Sequence, residues 1–295
     1  MPHIARSILW LSFFAAILAA WWVMFSMAQM MGVDWIGRPT GMMNMGGGMD
    51  MGSGMSGDAM SGNTMSGDAM SGDAMSGEMK PDGMAPMGDM PMMQMTTFGA
   101  LFPMWAIMMA AMMLPTMVPT LRAYEDLMVS ANGTRAGWLG VVLGYFVVWV
   151  GFAALIAVAQ IALMASGLID DLGISNSLWF AGLLFIVVGA FQFTRAKEIC
   201  HGVCHSPGMY FLGHWKTGFA GGLRMGLGLG AFCVGCCWGF MALGFVGGVM
   251  SLLWMGLATL FMVIEKLPQI GHYVTKPMGI ILILAGLGTA AYGVV

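Results

Sequence analysis

Residues 231–267 read "AFCVGCCWGFMALGFVGGVMSLLWMGLATLFMVIEKL", and their reading decides the fold. An apolar run of this length, with its only charges at Glu265 and Lys266, is too long for one crossing of a bilayer, which takes about 20 residues. The glycines of "GGVMS" divide it into two spans, 231–249 and 250–266, joined as a tight hairpin. The rest of the chain follows the same rule. Of 295 residues, 59 % are hydrophobic and 8 % charged, with mean hydropathy +0.82. Soluble domains carry about 25 % charged residues. The composition therefore predicts an all-α polytopic transmembrane bundle of about seven spans, roughly 7–28, 99–120, 137–166, 177–194, 231–249, 250–266 and 278–295.

Lysine and arginine set the orientation. With the N-terminus inside, the inner segments hold Arg6, Arg122, Arg135, Arg195, Lys197, Lys216, Lys266 and Lys276, and the short outer loop "DDLGISNS" holds none. The first span is too long for a signal-peptide core of 7–15 residues and reads as an uncleaved anchor. Three regions are expected: an anchor helix at 1–28, a disordered extracytoplasmic loop at 29–98, and a six-span membrane domain at 99–295. The implied location is a prokaryotic cytoplasmic membrane, with the C-terminus outside. The net charge of −3 hides a partition, because eight of the fourteen acidic residues lie between 29 and 98. There is no basic patch for nucleic acid, no Ser–His–Asp constellation and no catalytic carboxylate pair, so an enzyme is not expected. The partners implied are the bilayer and a metal ion, with other membrane subunits or a soluble copper chaperone as further candidates.

Residues 29–98 contain nineteen of the 37 methionines, set in Gly, Ser, Asp and Pro. Met55, Met60, Met65, Met70 and Met75 recur at every fifth position. A flexible spacer accounts for the small and acidic residues but has no use for methionine. Thioether sulfur is a soft ligand that selects Cu(I), and it serves in oxidising compartments where free thiols are lost to disulfides. Capture of Cu(I) is the expected role.

In "FPMWAIMMAAMMLPTMVP" (102–119), Met104, Met108 and Met112 recur at intervals of four, as do Met109, Met113 and Met117. Residues four apart share a helix face, so two thioether stripes cross the membrane. Methionine is also an adaptable core filler, and both readings stand.

The five cysteines fall in two places. "CHGVCHSPGMYFLGH" supplies Cys200, His201, Cys204, His205 and His214 on the inner side, where Cu(I) or zinc is an acceptable guest. "FCVGCCWGF" places Cys233, Cys236 and Cys237 on one side of a helix within the membrane. Two charges bracket that region. If Arg224 lies in the hydrocarbon, Glu265 is its expected partner, since intramembrane charges are paired or functional by default; if it sits in the interface, both are ordinary anchors. Gly218, Gly222, Gly226 and Gly230 form a ladder that lets another helix approach closely.

"MWAIMMAAMMLP", "CHGVCHSP", "GLRMGLGLGAFCVGCCW" and "VGGVMSLLWMGLATLFMVIEKL" resemble the prokaryotic family described as predicted metal-binding integral membrane proteins. The likeness covers roughly residues 99–295 and implies metal binding. In ligand types alone, the chain is also similar to eukaryotic high-affinity copper transporters, whose fold differs. The leading expectation is a membrane protein that captures Cu(I) outside and passes it inward. The alternative is a non-transporting accessory subunit or assembly factor of a larger membrane copper or haem enzyme.

Overall fold

Glycine takes the place of side chains where the two longest internal helices meet, and that contact frames the molecule. Helix α4 (Arg135–Ala165) lies along α8 (Gly218–Ala242) with glycines facing from both sides. A Cβ at Gly144 would strike the carbonyl oxygen of Leu223, and one at Gly226 the carbonyl oxygen of Val141. Gly222 meets Gly137 in the same way, and a Cβ at Gly230 would lie 2.9 Å from the Val148 side chain. Three rungs of the ladder thus serve the close approach that small residues permit between membrane helices. A Cβ at Gly218 would meet nothing within 4 Å; this residue has a φ of +80°, which glycine tolerates, and begins the helix.

This computed structural model describes residues 2–37, 97–267 and 271–293, and within them there are helices and no strands. The methionine-rich repeat, with Met55, Met60, Met65, Met70 and Met75, lies outside the described residues. The described helices belong to one compact unit. Helix α1 (Pro2–Met30) packs on α2 (Phe98–Thr116), where the Trp21 indole donates to the Ala111 carbonyl at 3.0 Å. Pro115 and Pro119 mark the break at Met117 between α2 and α3 (Val118–Ser130). Near the start of α1, Arg6 and Trp10 both bond the Glu125 carboxylate on α3.

Among the described residues five helices are long and apolar enough to cross a membrane: α1, α2, α4, α8 with its short continuation α9 (Gly244–Gly247), and α11 (Gly271–Tyr292). The sequence suggested about seven spans, and the difference has local causes. The apolar stretch at 177–194 forms only fourteen residues of helix, α5 (Leu178–Phe191). There the chain bends by 65° into α6 (Arg195–His205), whose first turn is capped by Thr194. Counting the bent pair as one span gives six. The stretch at 250–266 yields α10 (Leu252–Glu265), also fourteen residues, started by the Ser251 hydroxyl accepting from the Trp254 amide. The glycine-rich stretch 218–230 is the first half of α8.

A second close contact joins α5 to α11. Cβ atoms at Gly182 and Gly286 would each meet the other residue's carbonyl oxygen, at 2.9 and 2.7 Å. It holds α5 against α11.

Candidate metal centre

Cysteine at intervals of three and four puts three thiols on one side of α8, and Cys233, Cys236 and Cys237 are all buried there. The fourth thiol comes from the bent helix. Cys200 and Cys204 both face α8, as their spacing of four requires. Cys200 rests against Gly235, where its sulfur would lie 2.8 Å from an added Cβ, while Cys204 Sγ reaches to 3.7 Å from Cys236 Sγ. The sulfurs of Cys204, Cys233 and Cys236 all lie within 4.8 Å of one another. Cys237 Sγ is 3.3 Å from Cys236 Sγ. Among the described residues no other three His, Cys, Asp or Glu ligands gather this closely.

The two cysteine groups expected as separate stations, one cytoplasmic and one intramembrane, therefore share a single centre through Cys204. His201 and His205 remain outside the sulfur triad, on the other flank of α6. His201 Nε2 lies 2.9 Å from the Glu265 carbonyl, which only accepts, so Nε2 carries the proton. The His201 and His205 rings are 5.4 Å apart. His214 stacks on Tyr210 at the surface. Met104, Met108, Met112 and Met113 are buried in the core along α2. Met113 approaches the centre through its backbone, since its carbonyl accepts from the Thr116 hydroxyl at 2.8 Å.

Around the thiols stands a polar shell that the sequence did not reveal. Lys266, directly after α10, donates to Cys233 Sγ at 3.0 Å and to Thr116 Oγ1 at 2.9 Å. The Tyr145 hydroxyl, brought in by the glycine contact of α4 with α8, is 3.0 Å from Cys233 Sγ and 3.4 Å from Thr116. On the other side Lys197 of α6 pairs with Glu265 at 2.7 Å and donates to the Cys236 carbonyl at 2.8 Å. The Thr275 hydroxyl of α11 adds a bond to the same carboxylate oxygen at 3.1 Å.

This shell corrects one expectation. Glu265 is paired with Lys197 and not with Arg224, which lies exposed on α8. Lys197 and Lys266, counted with the inner segments for their charge, are 1 % and 7 % exposed and lie inside the bundle. The signal available in the sequence was the adjacent Glu265–Lys266 at the end of an apolar run, two opposite charges where one anchor would suffice.

The donor set fits a soft cation. A metal–thiolate bond of about 2.3 Å in a trigonal plane separates the sulfurs by about 4.0 Å. The 3.7 Å between Cys204 and Cys236, and the 4.8 Å limit for all three, bracket that value. Thiolates select Cu(I), zinc and iron–sulfur clusters.

Several of these helices are long and apolar enough to cross a membrane, and three thiols that could hold a metal gather between α6 and α8. Over residues 102–289 the chain matches the copper chaperone family PpoB2, and it belongs to that family. The matched family is not the one its motifs resembled, although metal binding is common to both descriptions. No curated protein and no solved structure matches the chain. The family and the buried cysteine cluster together point to copper as the ion bound.

Proposed function

We propose that the protein is a membrane copper chaperone that holds Cu(I) between Cys204, Cys233 and Cys236 and passes it on. The observation that carries this reading is the convergence of three buried sulfurs from two helices within 4.8 Å. Three sulfurs without a fourth ligand in the group suit three-coordinate Cu(I) better than zinc, whose structural sites are four-coordinate. In this reading the methionine-rich segment at 29–98 lies outside the membrane and collects the ion at Met55, Met60, Met65, Met70 and Met75. Residues 1–28 and 99–295 form the membrane body, and Met104, Met108, Met112 and Met113 line the way to the thiols. Cys200, His201, Cys237 and His205 stand beside the centre as ligands for the departing ion on the inner side. Weak thioethers outside and stronger thiolates within favour inward movement.

The test uses full-length protein reconstituted in vesicles, with Cu(I) outside and a Cu(I) chelator enclosed. Faster loading of the chelator than in protein-free vesicles, abolished by Cys204→Ser, is expected. Stoichiometric copper binding without faster loading would remove transport and leave binding. The family's description as chaperones then favours a second reading, delivery to a partner enzyme in the membrane. That reading expects a stoichiometric membrane partner on purification in mild detergent.

A further inference from the structure

The two lysines beside the thiols are treated differently. Lys197 is matched by Glu265 at 2.7 Å, so that pair brings no net charge to the centre. Lys266 has only the Thr116 hydroxyl and the Cys233 sulfur for acceptors, and among the described residues no carboxylate pairs with it. Burying an ammonium without a carboxylate is costly. Its position is nonetheless fixed, because Thr116 is itself tied to the Met113 carbonyl at 2.8 Å. One positive charge with no carboxylate partner among the described residues therefore stands against one sulfur of the triad.

We infer that Lys266 is the charge filter of the centre, admitting a monovalent soft cation to Cys204, Cys233 and Cys236 and disfavouring divalent ones. The inference rests on the reading of these sulfurs as the copper site. A cation bonded to Cys233 Sγ at about 2.3 Å lies within roughly 5 Å of the Lys266 nitrogen. Repulsion between the two scales with the cation's charge. At an effective dielectric of about 20, each further unit of charge at that distance is worth roughly 250-fold in binding. Softness does not draw this distinction, since thiolates take zinc as well as Cu(I). Three sulfurs alone attract a divalent ion more strongly than a monovalent one. Lys266 offsets one sulfur's share of that attraction and so takes away part of the divalent ion's advantage. Tyr145, neutral and on the same sulfur, orients Cys233 without altering the charge balance.

Cadmium separates charge from softness, because it is soft and divalent. Purified full-length protein in detergent, at fixed pH and ionic strength, is titrated with Ag(I), Zn(II) and Cd(II) in competition with a chelator. Lys266→Met and Lys266→Gln are expected to raise the affinities for Cd(II) and Zn(II) relative to Ag(I) by at least tenfold, while Lys266→Arg keeps the wild-type ratio. A purely structural lysine would lower all three affinities together and leave the ratio unmoved, which would overturn the inference. Should the neutral variants fail to fold, the wild type decides. It is expected to show no cadmium–thiolate charge-transfer absorbance at micromolar Cd(II) while equimolar Ag(I) protects its thiols from alkylation; stoichiometric cadmium absorbance there would refute the filter. Failure to bind Ag(I) or Cu(I) at all would instead remove the copper site on which the filter rests.

Discussion

The methionines of α2 and the cysteines of α8 are buried to the same degree and keep different company. Met104, Met108, Met112 and Met113 are 2–5 % exposed, and Cys233, Cys236 and Cys237 are 1–2 % exposed. Along α2 the polar contacts engage the Ala111 and Met113 carbonyls, the Trp105 indole, which donates to Gln160 at 2.7 Å, and the Thr116 hydroxyl, which accepts from Lys266, and none of these contacts is made to a methionine sulfur. Around α8 the sulfurs themselves receive the contacts, from Tyr145, Lys266 and Cys204. Burial alone cannot tell packing from chemistry, because either side chain is at home in an apolar core. Charged and hydroxyl groups beside a sulfur are a different matter, since each is expensive to bury without a purpose. In the proposed reading the thiols are the resident site and the methionines have a passing role.

Four variants break or sharpen that contrast. The largest effect removes the frame that both regions share. Gly226→Leu drives a side chain into the Val141 carbonyl on a facing helix, where backbone stands against backbone. No protease-resistant protein should accumulate in the membrane, whereas Gly151→Leu on the outer face of α4, with nothing within 4 Å, should leave it intact. Next comes Cys236→Ser, which removes a ligand outright. Changing a group that only supports a ligand costs about 10–100-fold in metal affinity, so this loss should exceed about 100-fold in a Cu(I) competition titration with the fold unchanged. Lys197→Met leaves the Glu265 carboxylate buried and unpaired. The expected loss is about 3–5 kcal/mol in unfolding experiments, largely regained by adding Glu265→Leu, because a matched apolar pair replaces a matched ionic one. The smallest effect belongs to α2. Met108→Leu with Met112→Leu conserves volume, so stability should fall by less than about 1.5 kcal/mol per site. Equilibrium Cu(I) affinity should hold and only the loading rate should drop; an affinity loss as large as that of Cys236→Ser would erase the contrast.

Much of the fold was legible in the sequence, because apolar runs and glycine ladders are local. The span at 137–166, the contact face at Gly222, Gly226 and Gly230, and the common side of Cys233, Cys236 and Cys237 all follow from length and periodicity. What escaped was the bend between α5 and α6. It lies at the Thr194 cap, just after the helix held by the α5–α11 glycine contact, which pairs residues about a hundred positions apart. Without that bend Cys204 belongs to a cytoplasmic cluster and Lys197 to a loop. With it Cys204 joins the α8 thiols, and Lys197 reaches Glu265 ahead of Arg224. Lys266 was hidden for a related reason. A lysine that ends an apolar helix looks like an interfacial anchor until Thr116 and Cys233, far away in sequence, are seen to meet it.

X-ray absorption at the copper edge of the Cu(I)-loaded, full-length protein tests the central claim most directly. The account predicts a first shell of sulfur alone, with three scatterers, that vanishes in the variant carrying Cys204→Ser, Cys233→Ser and Cys236→Ser. A nitrogen or oxygen first shell, or the same sulfur shell surviving in that variant, would contradict it.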